Sequence, residues 1–308
     1  MRQALNIGMI GLDTSHALVF TELLNTNDHP FHVNGGRVVA AYPGGSDDFE
    51  LSRSRVAGYT ATLREKFGVE MMVSPEAVAQ RCDAILLTSV DGRAHRGLFE
   101  KIARYRRPTF IDKPFAVSSA DAEGIVARAR DDGVPVMGAS SLRFAEGLST
   151  ALADDTRGGV IGADFFGPME LQPTQPGVFW YGVHAVEMLY ATLGRSCRQV
   201  RAVTNDDHDL IVGVWADGRI GTVRGNRKGN STFGGVLHRQ KGSQLVDTSR
   251  EPGQSRYGRL LERVLEFFTT GVAAVDVNET LETIRFMEAA NASRATGKAV
   301  PLQGSARS

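Results

Sequence analysis

Short apolar runs rich in β-branched residues recur through the first half of the chain, and each is followed by a stretch with helical spacing. Leu5 to Leu12 reads as a strand and Ser15 to Leu24 as a helix. Arg37 to Tyr42 reads as the next strand and Arg53 to Phe67 as the next helix. Val69 to Val73, Ala84 to Thr88, the run ending at Asp112, and Val134 to Met137 supply four more strands. Helices at Pro75 to Arg81, at His95 to Tyr105 and from Ser118 to about Asp131 separate them. Ser118 with Asp121 three residues later resembles a capping box. Strands alternating with helices imply parallel βαβ units with right-handed crossovers. Their near-continuous apolar character fits strands buried on both faces. The pattern predicts an α/β domain over residues 1–141, built on a doubly wound parallel sheet.

After Phe144 the rhythm changes. Ala145 to Leu152 is helix-like and leads into Val160 to Leu171; Tyr181 to Leu193 reads as a helix stopped by Gly194. Arg198 to Val203 and Leu210 to Trp215 alternate as strands. Asp217-Gly218 is a hairpin signal that pairs Ile220 to Arg224 back across the turn, and Phe233 to Arg239 reads as the continuation of that meander. Arg259 to Phe268 and Asn278 to Ser293 are amphipathic. Residues 142–308 are therefore expected to form an α+β domain with a mainly antiparallel sheet.

Composition narrows the functional classes. Thirty-five basic and 35 acidic residues cancel to a formal net charge of zero. No nucleic acid or anionic membrane is expected as a partner. Cys82 and Cys197 are too few and too distant to frame disulfides, which suggests a reducing, cytoplasmic setting. No apolar run reaches the roughly 18 residues that span a bilayer. His16, His95, His184 and Glu187 lack metal-ligand spacing, so no metal site is expected.

The stretch Thr109-Phe110-Ile111-Asp112-Lys113-Pro114 carries the most chemistry. Pro114 ends the strand and restricts Lys113 to an extended conformation. A lysine at the carboxyl end of such a strand stands at the crevice where α/β sheets bind ligands. Four other motifs accompany it in order: Ile7-Gly8-Met9-Ile10-Gly11, Thr88-Ser89 followed by His95, Leu142-Arg143-Phe144, and Gly182-Val183-His184-Ala185-Val186-Glu187. Together they resemble the glucose-fructose oxidoreductase, inositol dehydrogenase and MocA (Gfo/Idh/MocA) family over nearly the whole chain. The resemblance implies a Rossmann-type first domain and a second domain for substrate binding and oligomerisation.

The resemblance also implies roles. Lys113 and His184 are the expected catalytic pair, either side of a small polyol or sugar-like substrate. Gly11, Leu12, Asp13, Thr14, Ser15, His16, Thr88, Ser89, His95, Asp112 and Lys113 are expected to contact the cofactor, NAD or NADP. Arg143, Trp180, Tyr181 and Glu187 are expected at the substrate, with Glu187 orienting the His184 imidazole from one helical turn away. A homodimer or homotetramer is implied, formed through an exposed sheet face. The chemistry suits these residue types. Oxidising a secondary alcohol removes a hydride from carbon and a proton from oxygen; an imidazole can take the proton and an ammonium can hydrogen-bond the oxygen.

Three departures complicate this expectation. A dinucleotide fingerprint wants Gly-x-Gly-x-x-Gly, whereas this chain reads Gly11-Leu12-Asp13-Thr14-Ser15-His16. Asp13 therefore either faces the diphosphate, at a cost of roughly 4 kcal/mol for charges 4 Å apart at an effective dielectric of 20, or caps the following helix. Tyr42 ends the second strand where an acid would hold the adenosine ribose. Trp180 stands where the family has a catalytic aspartate. These departures keep two alternatives open, a non-redox lyase or epimerase and a cofactor-free binding protein.

Overall fold

The computed structural model describes residues 4–249 and 255–302. These fall into two compact units. The first comprises residues 4–116, 120–139 and 257–277, and the second 117–119, 140–249, 255–256 and 278–302.

The first unit holds six strands: β1 (Leu5–Ile10), β2 (Gly36–Tyr42), β3 (Glu70–Met71), β4 (Ala84–Leu87), β5 (Thr109–Ile111) and β6 (Val136–Gly138). All pair in parallel in the order β3-β2-β1-β4-β5-β6. The order reverses between β1 and β4, and this switch point opens the crevice where ligands bind in such sheets. Helices α1 (Ser15–Asn25), α2 (Glu50–Phe67), α3 (Pro75–Arg81), α4 (His95–Ile102) and α5 (Ser119–Asp132) connect them. Ser74 caps α3, its Oγ accepting from the Ala77 N–H, with Pro75 in the first turn, where its missing donor costs nothing. Ile7, Met9, Ile10, Phe20, Ile85, Leu86 and Phe110 are fully buried and form the core.

The second unit is a seven-stranded mixed sheet. Its strands are β7 (Val160–Pro168), β8 (Cys197–Thr204), β9 (His208–Trp215), β10 (Ile220–Asn226), β11 (Gly234–Arg239), β12 (Gly242–Asp247) and β13 (Val300–Pro301), in the order β12-β11-β7-β10-β9-β8-β13. The hairpin expected at Asp217-Gly218 is present, with Ile220 opposite Val214 and Gly218 at φ 89°. Phe233 to Arg239 does not continue that meander. β11 pairs with β7 and β12, while β7 lies parallel to β10. Strand β12 escapes sequence reading because Gly242-Ser243-Gln244 lacks apolar alternation.

Short helix α6 (Glu146–Ala153) precedes β7. Helices α7 (Gly182–Leu193) and α9 (Val277–Thr296) complete the second unit. A Cβ on Gly221 would lie 2.6 Å from Leu189 Cδ1, so a bare backbone on β10 lets α7 approach the sheet. Tyr190, Trp215 and Phe286 meet with ring centroids 5.7–6.4 Å apart. Buried Glu282 accepts from the Ser196 and Cys197 N–H groups at 2.8 Å.

One helix departs from a single cut after residue 141. The apolar stripe of α8 (Arg256–Thr270), including Leu260, Leu261, Val264, Leu265 and Phe268, is buried, and residues from Tyr257 onward belong to the first unit. Gly36 shows why: a Cβ there would lie 2.9 Å from Leu265 Cδ2, so α8 seats directly against β2.

Candidate active site

In the first unit the site is built at the carboxyl ends of β1, β4 and β5. Gly11 turns the chain at φ 91°, and a Cβ there would lie 2.4 Å from the Ser89 nitrogen. Only glycine fits this contact between β1 and the loop after β4. Thr88 Oγ1 donates to the Gly11 carbonyl at 2.7 Å, and the Leu12 N–H donates to the Pro43 carbonyl at 2.7 Å. Thr14 is the cap of α1: its backbone is extended and its Oγ1 accepts from the His16 N–H.

Asp13 does not cap α1, a place that Thr14 takes. Its side chain is fully buried, with one carboxylate oxygen accepting from Ser52 Oγ at 2.6 Å and the other from the Val90 N–H at 2.8 Å. It ties the start of α2 to the loop after β4. Burial pushes its carboxyl up, against the lowering effect of those two bonds.

His16, at the fingerprint's third glycine, stacks on Phe20 and meets the edge of Tyr257, both with centroids 5.1 Å away. Its Nδ1 lies 2.5 Å from Asp112 Oδ2. Burial acts to raise the Asp112 carboxyl, and the attraction of His16 and Lys113 outweighs it, so the carboxyl sits below its ordinary range. The other Asp112 oxygen accepts from the Lys113 N–H at 2.8 Å. The Lys113–Pro114 peptide is cis. Lys113 is half-buried. Burial pulls its ammonium below the usual lysine range, Asp112 opposes this and Arg55 adds to it. His95 is buried beneath the turn, with Nε2 2.8 Å from the Ser89 carbonyl and Nδ1 3.0 Å from the Pro114 carbonyl.

The residues present fit a dinucleotide at its phosphates. The first turn of α1 carries no acidic side chain, and the Asp13 carboxylate is committed to Ser52 and Val90. The Asp13 carboxylate therefore takes no hydrogen bond from the backbone N–H groups at the positive dipole end of α1. The adenosine end differs from the usual pattern. Tyr42 offers no carboxylate, and Asp48 and Asp91 both pair with Arg93, at 2.7 and 2.8 Å.

In the second unit, His184 and Glu187 lie one turn apart on α7. Trp180, Tyr181, His184 and Phe233 form a chain of edge-on ring contacts with centroids 5.4–5.8 Å apart. The His184 Nδ1 lies 2.7 Å from Ser140 Oγ. The Glu187 carboxylate pairs with Arg143 at 3.2 Å, and Arg143 also pairs with Glu279. Burial pushes the Glu187 carboxyl up despite Arg143, and Glu279 adds to the rise. Arg143 thus bridges two carboxylates. Ser140 and Ser52 are the functional candidates that the motifs missed. The position of Ser140 just past β6, at a strand's carboxyl end, was the available signal. Ser52 gave none, because its role depends on a contact 39 residues away.

The fold and the glycine turn define a Rossmann-type nucleotide-binding unit. Residues 5–140 match the Gfo/Idh/MocA family model, described as an oxidoreductase family with an NAD-binding Rossmann fold. The chain is 29% identical over 138 residues to the D-apiose dehydrogenase of Paraburkholderia graminis, a match covering 44% of this chain and 33% of that protein. It spans about a third of the length of that curated relative. Solved structures match far more of the chain. The myo-inositol dehydrogenase of Corynebacterium glutamicum aligns with a TM-score of 0.76 at 15% identity, covering 98% of this chain and 100% of that one. An oxidoreductase from Agrobacterium radiobacter, solved with NAD+, L-tartaric acid and magnesium, aligns with a TM-score of 0.76 at 17% identity, covering 97% and 99%. These likenesses show the shared two-domain fold. No helix among the described residues is long and apolar enough to cross a membrane.

Proposed function

We propose that this protein is an NAD-dependent oxidoreductase that oxidises a secondary alcohol on a sugar, cyclitol or related polyol. The observation that carries the reading is Lys113, half-buried at the carboxyl end of β5 in a parallel sheet of Rossmann order, with its ammonium pulled below the usual range by burial. NAD, when bound, supplies the hydride acceptor. Lys113 hydrogen-bonds the substrate oxygen, and His184 takes its proton. Trp180 and Tyr181 supply an apolar wall against which the C–H face of a sugar ring packs. Gly11, Leu12, Thr14, Ser15 and the α1 N-terminus hold the diphosphate. Thr88, Ser89 and His95 keep the β4 loop closed on the glycine turn, and His16 with Asp112 holds the strand end that carries Lys113. NAD is preferred to NADP, because Arg93, a cation beside the β2 loop, is already neutralised by Asp48 and Asp91.

Calorimetric titration with NAD+, NADH, NADP+ and NADPH tests the reading. Micromolar binding of the NAD forms is expected, with weaker binding of the NADP forms. Asp13→Ala is expected to leave NAD affinity within a few-fold while costing about 1–3 kcal/mol of stability, because it strands the Ser52 hydroxyl and the Val90 N–H. No binding of any nucleotide would favour a lyase, an epimerase or a binding protein on this scaffold. A gain in affinity for Asp13→Ala would mean that the carboxylate does oppose the phosphate.

The same reading makes the protein a dimer or a dimer of dimers. Val203, Leu210, Val214, Ile220 and Leu245 stand exposed on the outer face of the second sheet, at 37–81% of their full accessibility, and a second copy would cover them. Sedimentation at micromolar concentration should show at least a dimer; a monomer alone would overturn this.

A further inference from the structure

We propose that Ser140 is the positioning residue for His184: its hydroxyl engages Nδ1, so that Nε2 is the nitrogen offered to the substrate. The inference rests on the catalytic reading of His184 for its consequence, although the contact itself stands without it. Ser140 is completely buried just past the end of β6, and its Oγ lies 2.7 Å from His184 Nδ1.

Three further contacts keep Ser140 from moving. Its Oγ accepts from the Leu142 N–H at 3.3 Å, and its carbonyl accepts from the Arg143 N–H at 3.1 Å. Its own N–H donates to the Glu187 carboxylate, which Arg143 holds in turn. Helix α7 therefore grips Ser140 twice, through the imidazole of His184 and through the carboxylate of Glu187 one turn on. Glu187 acts on the imidazole through Ser140.

The choice of a hydroxyl has a chemical consequence. A carboxylate partner only accepts a hydrogen bond, and so it favours the imidazolium. A serine that already accepts from Leu142 keeps one lone pair and one proton. It can accept from Nδ1–H, leaving Nε2 as a base, or donate to bare Nδ1, leaving Nε2–H as an acid. One side chain thereby serves both directions of a reversible oxidation. Glu187 and Arg143 are paired with each other, and Tyr181 and Phe233 both meet the His184 ring edge-on.

The test is nitrogen NMR of histidine-labelled protein, together with kinetics, on the parent, Ser140→Ala and Ser140→Thr. The parent and the Thr variant should show His184 in a hydrogen-bonded Nδ1 state; Ser140→Ala should show that signature lost. In the same variant kcat should fall about 10- to 100-fold, as for other orienting partners, with KM within about twofold and the acid limb of the pH profile displaced. The Thr variant should recover most of the loss. An unchanged His184 signature in Ser140→Ala would overturn the positioning role. So would a melting-temperature loss that Thr does not repair. If the signature changes as expected but turnover does not, the contact is real and the catalytic reading of His184 fails instead.

Discussion

Lys113→Met and His184→Ala should each lower turnover by about 100- to 10,000-fold, the range for removing an acid–base group. The lysine variant separates catalysis from folding by its sign. Burial holds the folded-state pKa of Lys113 below its ordinary value. The unfolded chain therefore binds the proton more readily, and the lysine costs stability until pH rises past its unfolded pKa, about 10.4. Replacing it with methionine should leave the neutral-pH melting temperature unchanged or slightly higher. The parent should gain on the variant as pH climbs toward that value. Turnover within a few-fold of the parent would strip either residue of its role. A large fall in melting temperature for His184→Ala would make that histidine a core residue.

The largest stability effect should come from Asp209. Its side chain is fully buried and bridges Arg227 and Arg294, themselves only 13% and 17% exposed. Burial works against its ionisation, but Thr204 and the two guanidinium groups overcome this and hold the carboxyl below its usual range. Asp209→Ala would leave two cations facing each other with no counter-charge. Breaking a buried pair in this way costs about 3–5 kcal/mol, or roughly 6–20 °C in the melting of a unit this size. The bridge contributes fully above the unfolded carboxylate pKa of about 3.9 and is lost as pH falls through the lower folded value. The parent and variant should therefore converge in acid. A melting temperature within 2 °C of the parent at pH 7 would remove Asp209 from this role.

What the sequence made legible was periodic or covalently local. The βαβ alternation, the Asp217-Gly218 turn, the strand ending at Lys113-Pro114 and the helix carrying His184 all declare themselves within a dozen residues. What it concealed depends on partners distant in the chain. Nothing local to Arg143 says that Glu279, 136 residues on, pairs with its guanidinium. Asp13 reads as a liability or a cap until Ser52 and Val90 take its oxygens. Strand β11 reads as the next turn of a meander because nothing local says that β7, some 70 residues earlier, is its neighbour. The stripe on α8 announces burial without saying in which unit.

The return of residues 257–277 to the first unit bears on how the chain is made. A ribosome that has released residues 1–139 has delivered all six parallel strands, yet β2 lacks the helix that seats against Gly36. That helix leaves the tunnel only after most of the second sheet has been synthesised. Until then the nascent first unit exposes an apolar flank, and its last folding step waits on a segment more than 100 residues downstream. Termination after residue 249 would leave that flank permanently bare, so such a fragment should be a target for chaperones and proteases even with every expected nucleotide contact already encoded.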